Sequence, residues 1–253
     1  MRGIEVKEYV KGPKELKVTD LPDPTPKNDE YLIQVHAAAT NFFDILQIQG
    51  KYQNQPPFPW VAGAEFAGIV LKTPAGAKSP KFPVGSRVFG ATQGAFATKC
   101  VAKEVSLLPV PEGWSFQAAA GLFVTAPTSY GALVVRAGIK KGDYVLIHAA
   151  AGGVGLAAVQ ASTPRKREIA LSYGADHAID TASKDWPQAT VGTVWDGIMR
   201  LVKDGKMRGT EFSDERYDGL ERVPAALTAL GSRGTWGKVV VKVPQEGEQK
   251  SKL

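Results

Sequence analysis

The chain has 253 residues, 43% of them hydrophobic and 22% charged, which is typical of a soluble globular protein with one large domain or two modest ones. No apolar run approaches the ~20 residues that a bilayer-spanning helix needs, so the sequence predicts no membrane segment. The formal charge of +6 is spread along the chain, which favours a basic soluble protein over a nucleic-acid-binding one, and the single cysteine excludes an intrachain disulfide.

Residues 1–124 have the pattern of a β-rich region. Short apolar or alternating runs are separated by segments rich in proline and glycine, which is the pattern of strands and turns. The runs are YLIQVHAA (31–38), AGIVLKT (67–73), SRVFGAT (86–92) and AFATKCVAK (95–103). Many short strands of this kind predict a small, irregular β-barrel.

Helix signals begin after this region. Ser115 is placed to cap a first helix, and Thr128 or Ser129 to cap a second, YGALVVRA, which Gly138 would end. The run GDYVLIHAA (142–150) predicts a buried strand that leads into a glycine turn.

The remaining elements follow in chain order, starting with a helix from Gly155 to about Ser162. The predicted elements after it are a second helix TPRKREIALSYG (163–174), a short strand ADHAID (175–180), a loop TASKDWPQATVG (181–192), helices VWDGIMRLVKDGKM (194–207) and GLERVPAALTALGS (219–232), and a last strand TWGKVVVKV (235–243).

The glycine turn carries the first functional signal. Ala150, Gly152 and Gly155 stand in the register of G-x-G-x-x-G between a predicted strand and a predicted helix. Such a turn lets the backbone approach a pyrophosphate, and the amides at the helix N-terminus point at the anion. The alternative is that the glycines serve only close helix packing.

A basic segment follows the turn. Arg165, Lys166 and Arg167 lie where the adenosine ribose would lie in a dinucleotide-binding unit, and the segment has no acidic residue to bind a ribose hydroxyl. Basic groups suit a 2′-phosphate, which favours NADPH over NADH. The alternative is a solvated first helical turn with Pro164 at its first position.

Several motifs in the right order resemble the quinone oxidoreductase (zeta-crystallin-like) branch of the medium-chain dehydrogenase/reductase superfamily. They are AATNFFD (38–44), GKY (50–52), VAGAEFAGIV (61–70), VGSRVFG (84–90), TSYGAL (128–133), VLIHAAAGGVGL (145–156) and GKVVVKV (237–243). The segment PFPWVAGAEFAG resembles fungal members in particular. The resemblance implies an α/β protein, with a GroES-like β-barrel domain in residues 1–124 and 208–253 and a Rossmann-type domain in residues 125–207.

The resemblance also implies site residues. Asn41 and Tyr52 would lie near the nicotinamide and the substrate, and Thr128 would hold the carboxamide. The diphosphate would meet Gly152, Gly153 and Val154, and the 2′-phosphate would meet Ser162 and Lys166. Alternatives remain open for three of these residues, since Asn41 could be a turn residue, Tyr52 a packing aromatic and Thr128 a helix cap.

Zinc-dependent relatives carry a cysteine near the position of Asn41 and a G-H-E-x-x-G motif. Here GAEFAG (63–68) has Ala64 in place of the histidine, and the NFFD segment has no cysteine. A catalytic zinc needs about three protein ligands. The sequence therefore predicts a metal-free site with direct hydride transfer to a quinone or another activated enone.

The Rossmann region is short. A six-strand Rossmann domain built from ~30-residue units needs on the order of 150 residues, whereas residues 125–207 number about eighty. About ten residues, which would form a helix end and the second strand, are expected to be missing after Gln160. The later strands of the sheet are expected to be missing near Thr190 to Thr193. Relatives commonly form homodimers through the far edge of that sheet, so this chain is expected to lack the dimer edge.

Two further functions stay open at this stage. One is reduction of trans-2-enoyl thioesters by the same fold, and the other is a catalytically silent, shortened protein that binds a partner such as RNA. The final residues Ser251, Lys252 and Leu253 form a peroxisomal address that an import receptor reads at a free C-terminus. We expect a peroxisomal protein, with a cytoplasmic location as the alternative.

Overall fold

The structure is a computed structural model that describes residues 1–140, 143, 145–150, 152–161, 189–212 and 214–245. The chain divides into two compact units. The first unit combines Met1–Phe123 with the segment that begins at Glu211, and the second unit is Val124–Thr210. None of the helices in the described part of the chain is long and apolar enough to cross a membrane.

The first unit contains two sheets. Their strands are β1 (Arg2–Val6), β2 (Val18–Asp20), β3 (Glu30–Ala39), β4 (Trp60–Val61), β5 (Glu65–Lys72), β6 (Arg87–Ala91), β7 (Lys99–Lys103), β8 (Leu107–Pro109), β9 (Tyr217–Asp218) and β10 (Val240–Lys242). A three-stranded sheet has the order β2-β1-β4, and a seven-stranded sheet has the order β8-β6-β5-β3-β10-β9, with β7 also paired to β3. Three of the four runs predicted as strands are confirmed, and the fourth, 95–103, forms a strand only from Lys99.

Strand β3 lies at the centre of the larger sheet. From Leu32 to Ala39 it pairs with β5 on one side. On the other side, its first half pairs with β7 and its last three residues pair antiparallel with β10. The isolated bridge between Gly3 and Ala97 joins the smaller sheet to the segment before β7. The ladders between described residues thus form two open sheets, where the strand pattern predicts a single small barrel.

The core of the first unit lies between these sheets and the helices packed on them. Large side chains with almost no exposed surface fill it; they include Tyr31, Phe66, Phe96, Ile4, Ile33 and Leu227. Gly68 of β5 has no room for a side chain, because a Cβ atom there would lie 2.0 Å from the carbonyl oxygen of Gln34. The only cysteine, Cys100 on β7, is buried opposite Ile33, and burial raises the pKa of its thiol.

The described residues of the first unit form three α-helices. These are α1 (Phe42–Ile48), α2 (Phe116–Ala120) and the last helix of the chain's described part, which is numbered α6 (Val223–Gly231) because α3 to α5 belong to the second unit. The predicted cap at Ser115 is confirmed, because its Oγ accepts a hydrogen bond of 3.1 Å from the amide of Ala118. The helix predicted over 219–232 forms as a 3₁₀ turn, Leu220–Arg222, followed by α6.

The named secondary-structure elements among the described residues of the second unit are all helices. Its helices are α3 (Thr125–Tyr130), which continues as a π-helical stretch Gly131–Arg136, then α4 (Gly153–Ala161) and α5 (Ala189–Lys203). Tyr130 packs against α5 at Gly197, where a Cβ atom would lie 2.2 Å from its hydroxyl. The prediction that Thr128 or Ser129 caps a helix is wrong, because α3 already begins at Thr125. Pro127 does not prevent this, since the first turn of a helix needs no amide donor.

Two other predictions in the second unit need correction. Residues 145–147 are irregular and half-buried, although GDYVLIHAA predicts a strand. A strand needs a hydrogen-bonded neighbour, and the described residues supply none to this segment. The helix α5 begins at Ala189, inside the predicted loop 181–192. The predicted helix 163–174 and strand 175–180 lie outside the described residues.

Candidate active site

The glycine turn, described at residues 149, 150 and 152–155, leads into α4 and forms its N-terminus. Ala149 adopts a left-handed conformation (φ 51°), and its carbonyl accepts a hydrogen bond of 2.8 Å from the amide of Gly152. The carbonyl of Gly152 in turn accepts the amide of Leu156 at 2.8 Å. Gly152 is therefore the residue directly before α4, its carbonyl accepts the first hydrogen bond of the helix, and its own amide is used inside the turn. The amides of Gly153 and Val154 belong to the first turn, where a helix offers no carbonyl partner.

Gly155 makes the closest approach in this turn. A Cβ atom at this position would lie 2.4 Å from the carbonyl oxygen of Ala149 and 2.6 Å from the Cα of Ala150. At Gly152 the corresponding distance to the Ala149 oxygen is 3.3 Å. Only glycine fits at position 155 without moving the backbone, which is the requirement that the G-x-G-x-x-G register places on its third glycine.

Thr128 and Ser129 lie on α3, and their hydroxyls have different partners. The exposed Thr128 donates a hydrogen bond of 2.6 Å to the carbonyl of Val124 in its own helix. The buried Ser129 donates one of 2.7 Å to the carbonyl of Val154 in the first turn of α4. Ser129 thus links α3 to the turn. The sequence predicts Ser129 only as a possible helix cap, so this contact was not expected.

The residues predicted to bind the 2′-phosphate, Ser162 and Lys166, lie outside the described residues. The same holds for Arg165 and Arg167, and for the C-terminal tripeptide. Their assignments stay predictions.

In the first unit, Asn41 stands at the N-terminus of α1 and is almost completely buried. Its backbone amide donates a hydrogen bond of 2.7 Å to the carboxylate of Asp44. Its side-chain nitrogen donates to Glu65 Oε2 at 3.1 Å, and its side-chain oxygen accepts from the ammonium of Lys238 at 2.7 Å. Asn41 is therefore the N-cap residue of α1 and also a member of a buried polar network.

Lys238 and Glu65 complete this network, and sequence reasoning missed both. They form a buried ion pair of 2.8 Å, with side-chain exposures of 5% and 0%. Lys238 also donates a hydrogen bond of 3.0 Å to the carbonyl of Thr40. The available signal was one charged residue in the otherwise small and apolar motif GAEFAG, and a lysine directly before the three valines of GKVVVKV. Charged residues are almost never fully buried unless they are paired.

Asp44 lies beside the network on the first turn of α1. Burial raises the pKa of its carboxyl group to about 7, partly offset by the Asn41 amide and by the charge of Lys238. The nearby negative charge of Glu65 adds to the increase. Its Oδ1 atom has no hydrogen-bond partner among the described residues, which favours the protonated, neutral form.

Tyr52 lies in the loop after α1, half-buried against Phe43. Near it, Tyr9 and Phe58 make a second, edge-to-face aromatic pair with ring centroids 4.9 Å apart. In contrast to that pair, the rings of Tyr52 and Phe43 are stacked face to face, so together they present a flat aromatic surface. Within the described part of the chain, no three His, Cys, Asp or Glu side chains group as metal ligands would.

Comparison with known proteins gives matches over most of the chain. Residues 27–112 match the Alcohol dehydrogenase GroES-like domain. Mouse "Quinone oxidoreductase-like protein 2" is 35% identical over 222 residues, which cover 84% of this chain and 60% of that protein. The "Spectinabilin polyketide synthase system protein NorB" of Streptomyces orinoci is 42% identical over 198 residues, which cover 78% of this chain and 8% of that protein.

The fold also matches solved structures. Escherichia coli quinone oxidoreductase complexed with NADPH superposes with a TM-score of 0.78 at 22% identity, covering 96% of this chain and 100% of that one. This confirms the predicted α/β fold with a GroES-like domain. The chain spans only 50–60% of the length of the first quinone oxidoreductase relatives that it matches. Taken together, the matched domain, these relatives and the shared fold show that the chain belongs to the quinone oxidoreductase-like branch of the medium-chain dehydrogenase/reductase family.

Proposed function

We propose that the protein is an NADPH-dependent oxidoreductase that reduces quinones or other activated enones without a metal ion. The observation that carries the proposal is the turn at residues 149–155, where a side chain at Gly155 would collide with the backbone. Backbone packed this closely at a helix N-terminus suits a diphosphate. The Escherichia coli quinone oxidoreductase with this fold is complexed with NADPH, which supports the choice of cofactor.

The residues of the second unit fit the diphosphate end of such a cofactor. Gly153 and Val154 would donate their amides to it, and Ser129 would hold the first turn of α4 in place through the carbonyl of Val154. Thr128, which is exposed on α3, would reach the carboxamide, and Ser162 and Lys166 would receive the 2′-phosphate. When bound, the reduced nicotinamide supplies the hydride for the reaction.

The first unit would supply the acceptor side. The stacked Phe43–Tyr52 pair offers a planar aromatic face, which suits a flat, electron-poor ring such as a quinone. Asn41 offers an oriented amide beside a buried cation. The role of these residues is to bind and orient the acceptor, and a proton comes from water.

The test is to titrate the purified chain with NADPH and with NADH, following fluorescence of its five tryptophans, and then to assay NADPH oxidation with simple quinones. We expect tighter binding of NADPH, with Lys166→Ala raising the Kd for NADPH while leaving that for NADH unchanged. Lys203→Ala, at an exposed position near the end of α5, is the control. Absence of both cofactor binding and quinone turnover would reject the proposal. A salt-sensitive RNA shift without NADPH binding would favour the catalytically silent alternative.

Reduction of trans-2-enoyl thioesters is the second candidate. It is favoured by the 42% identity to a polyketide synthase segment, since polyketide synthases act on thioester-bound chains. Crotonyl-type thioesters and quinones assayed side by side with the same preparation distinguish the two. A specificity constant at least tenfold higher for the thioester would reverse our assignment.

We also propose a peroxisomal location, read from Ser251, Lys252 and Leu253. The test is a fluorescent protein fused to the N-terminus, which leaves the C-terminus free. We expect the fusion protein in peroxisomes. We expect the same fusion without Leu253 in the cytoplasm. Identical cytoplasmic signals from both would overturn this assignment.

A further inference from the structure

The ammonium group of Lys238 is fully coordinated inside the first unit. It donates to Asn41 Oδ1 at 2.7 Å, to Glu65 Oε2 at 2.8 Å and to the carbonyl oxygen of Thr40 at 3.0 Å. An ammonium has three hydrogens, so these three acceptors satisfy it. The next residue, Val239, is held as well, because its carbonyl accepts both the amide and the hydroxyl of Thr40.

This arrangement determines how the side chain of Asn41 is oriented. An ammonium can only donate hydrogen bonds and an ionised carboxylate can only accept them. The amide oxygen must therefore face Lys238 and the amide nitrogen must face Glu65, so the flip that usually makes an asparagine ambiguous is excluded here. The contacts agree with this orientation on both sides.

One hydrogen of the Asn41 amide has no acceptor in the described part of the chain. The amide nitrogen carries two hydrogens, and the structure gives it one bond, to Glu65. Asn41 retains 7% of its surface, whereas Glu65 retains none. Among the described contacts of Lys238, Glu65 and Asn41, the second N–H of Asn41 is thus the donor that is left for a bound molecule.

Stability alone does not account for a buried ion pair at this place. Replacing such a pair by apolar residues of similar size is often neutral or stabilising, because burying two charges costs solvation energy. The strand β10 is already joined to β3 by its backbone ladder and by the Thr40–Val239 bonds. Orienting Asn41 is a function that apolar side chains would not provide. A cation on the amide oxygen also polarises the N–H and strengthens it as a donor.

We propose that Lys238 and Glu65 are positioning residues that hold the Asn41 amide so that its second N–H donates to the carbonyl oxygen of the electron acceptor. This inference rests on the proposed oxidoreductase function and narrows the substrate to acceptors with such an oxygen. In the reaction, the acceptor gains a hydride, the two electrons coming from NADPH, which leaves as NADP⁺. The acceptor oxygen becomes negative, is stabilised by the N–H, and then takes a proton from water.

The test uses the full chain and a charge-neutral double variant, Lys238→Met with Glu65→Gln, which leaves no buried charge unpaired. We expect kcat for quinones to fall about 10²-fold, the usual loss when a donor to a developing oxyanion is removed. The Kd for NADPH should be unchanged, because the residues that we propose to bind NADPH belong to the second unit. Lys238→Arg, which keeps the charge, should recover part of kcat. Lys72→Met, at an exposed position on the strand that carries Glu65, is the matched control.

The outcomes separate this inference from the proposed function. An active wild type whose double variant folds, binds NADPH and keeps the wild-type kcat overturns the positioning role alone. A fall in kcat that only follows a lower melting temperature, without recovery by Lys238→Arg, also overturns it, since it would show a structural role. A wild type that neither binds nor oxidises NADPH removes the proposed function, and this inference with it.

Discussion

Tyr52 stacks on Phe43, with ring centroids 5.3 Å apart and ring planes inclined by 23°. If this pair forms the aromatic wall for the acceptor, Tyr52→Leu removes a stacking surface that contributes ~0.5–1.5 kcal/mol. We expect KM for quinones to rise by about three- to tenfold. Tyr52→Phe keeps the ring and should retain most of the affinity.

The control for this prediction is Tyr9→Leu, because Tyr9 belongs to a different aromatic pair, with Phe58, in which both rings are exposed. Steady-state kinetics at saturating NADPH measures all three variants. If the leucine variants of Tyr9 and Tyr52 raise KM equally, Tyr52 is a packing residue and has no special place at the acceptor.

The two glycines of the turn should respond differently to the same substitution. Gly155→Ala places a Cβ atom 2.4 Å from a backbone oxygen, whereas Gly152→Ala places it at 3.3 Å. The first substitution must displace the start of α4, and we expect the Kd for NADPH to rise at least ~10-fold. The second should raise it less. Fluorescence titration measures both, and Gly12→Ala, in open space with extended backbone, is the neutral control. Equal effects at the two positions would contradict the turn geometry.

Asp44 should make the stability of the chain depend on pH. Burial raises its pKa to about 7, against 3.8 for a solvated carboxyl group. Between these values the folded chain keeps a proton that the unfolded chain has released, so the free energy of unfolding decreases as pH rises and levels off above pH 7. This contribution is fully present below pH 4. Between pH 4.5 and 7.5 we expect the wild type to lose of the order of 3 kcal/mol from this group.

Urea unfolding of the wild type and of Asp44→Asn at the two pH values tests this expectation. Asparagine keeps an oxygen for the amide of Asn41 but cannot titrate, so the variant should lack this slope. Asp20→Asn, at an exposed position on β2, should keep the slope of the wild type. If the free energy of unfolding changes equally with pH in the wild type and in Asp44→Asn, Asp44 is ionised over the whole range from pH 4.5 to 7.5, and the prediction is wrong.

Ser129 and Thr128 are adjacent in sequence, yet their loss should have opposite consequences. Ser129→Ala breaks the bond between α3 and α4, and we expect the free energy of unfolding to fall by about 1 kcal/mol. Thr128→Val removes a hydroxyl that bonds only within its own helix, so stability should be nearly unchanged while the Kd for NADPH rises. Chemical unfolding and NADPH titration of both variants decide. An unchanged Kd for Thr128→Val would remove this residue from the cofactor site.

The sequence was a good guide where local pattern determines structure. Strands such as β3 follow from alternating apolar residues, and the cap at Ser115 follows from a hydroxyl before a helical run. It was a poor guide where distant parts of the chain decide. The segment 145–147 is apolar enough for a strand, but a strand also requires neighbours that the local pattern does not supply.

The candidate site divides in the same way. The glycine turn was found because its spacing is local, and Asn41 and Tyr52 were found through family resemblance. Lys238 and Glu65 were missed because 173 residues separate them in sequence. No periodicity connects a lysine near the C-terminus to a glutamate on β5, and only the pairing of β10 with β3 brings the two together.

Because Cys100 on β7 is buried, its reaction with a thiol reagent reports local opening of the sheet around β7. A thiol reagent needs both access and the thiolate form, and in the folded chain Cys100 retains 3% of its surface and burial raises the pKa of its thiol. Because the chain has one cysteine, each modified molecule records one event in which the sheet came apart around β7. The labelling rate therefore counts those openings directly, without any substitution in the protein.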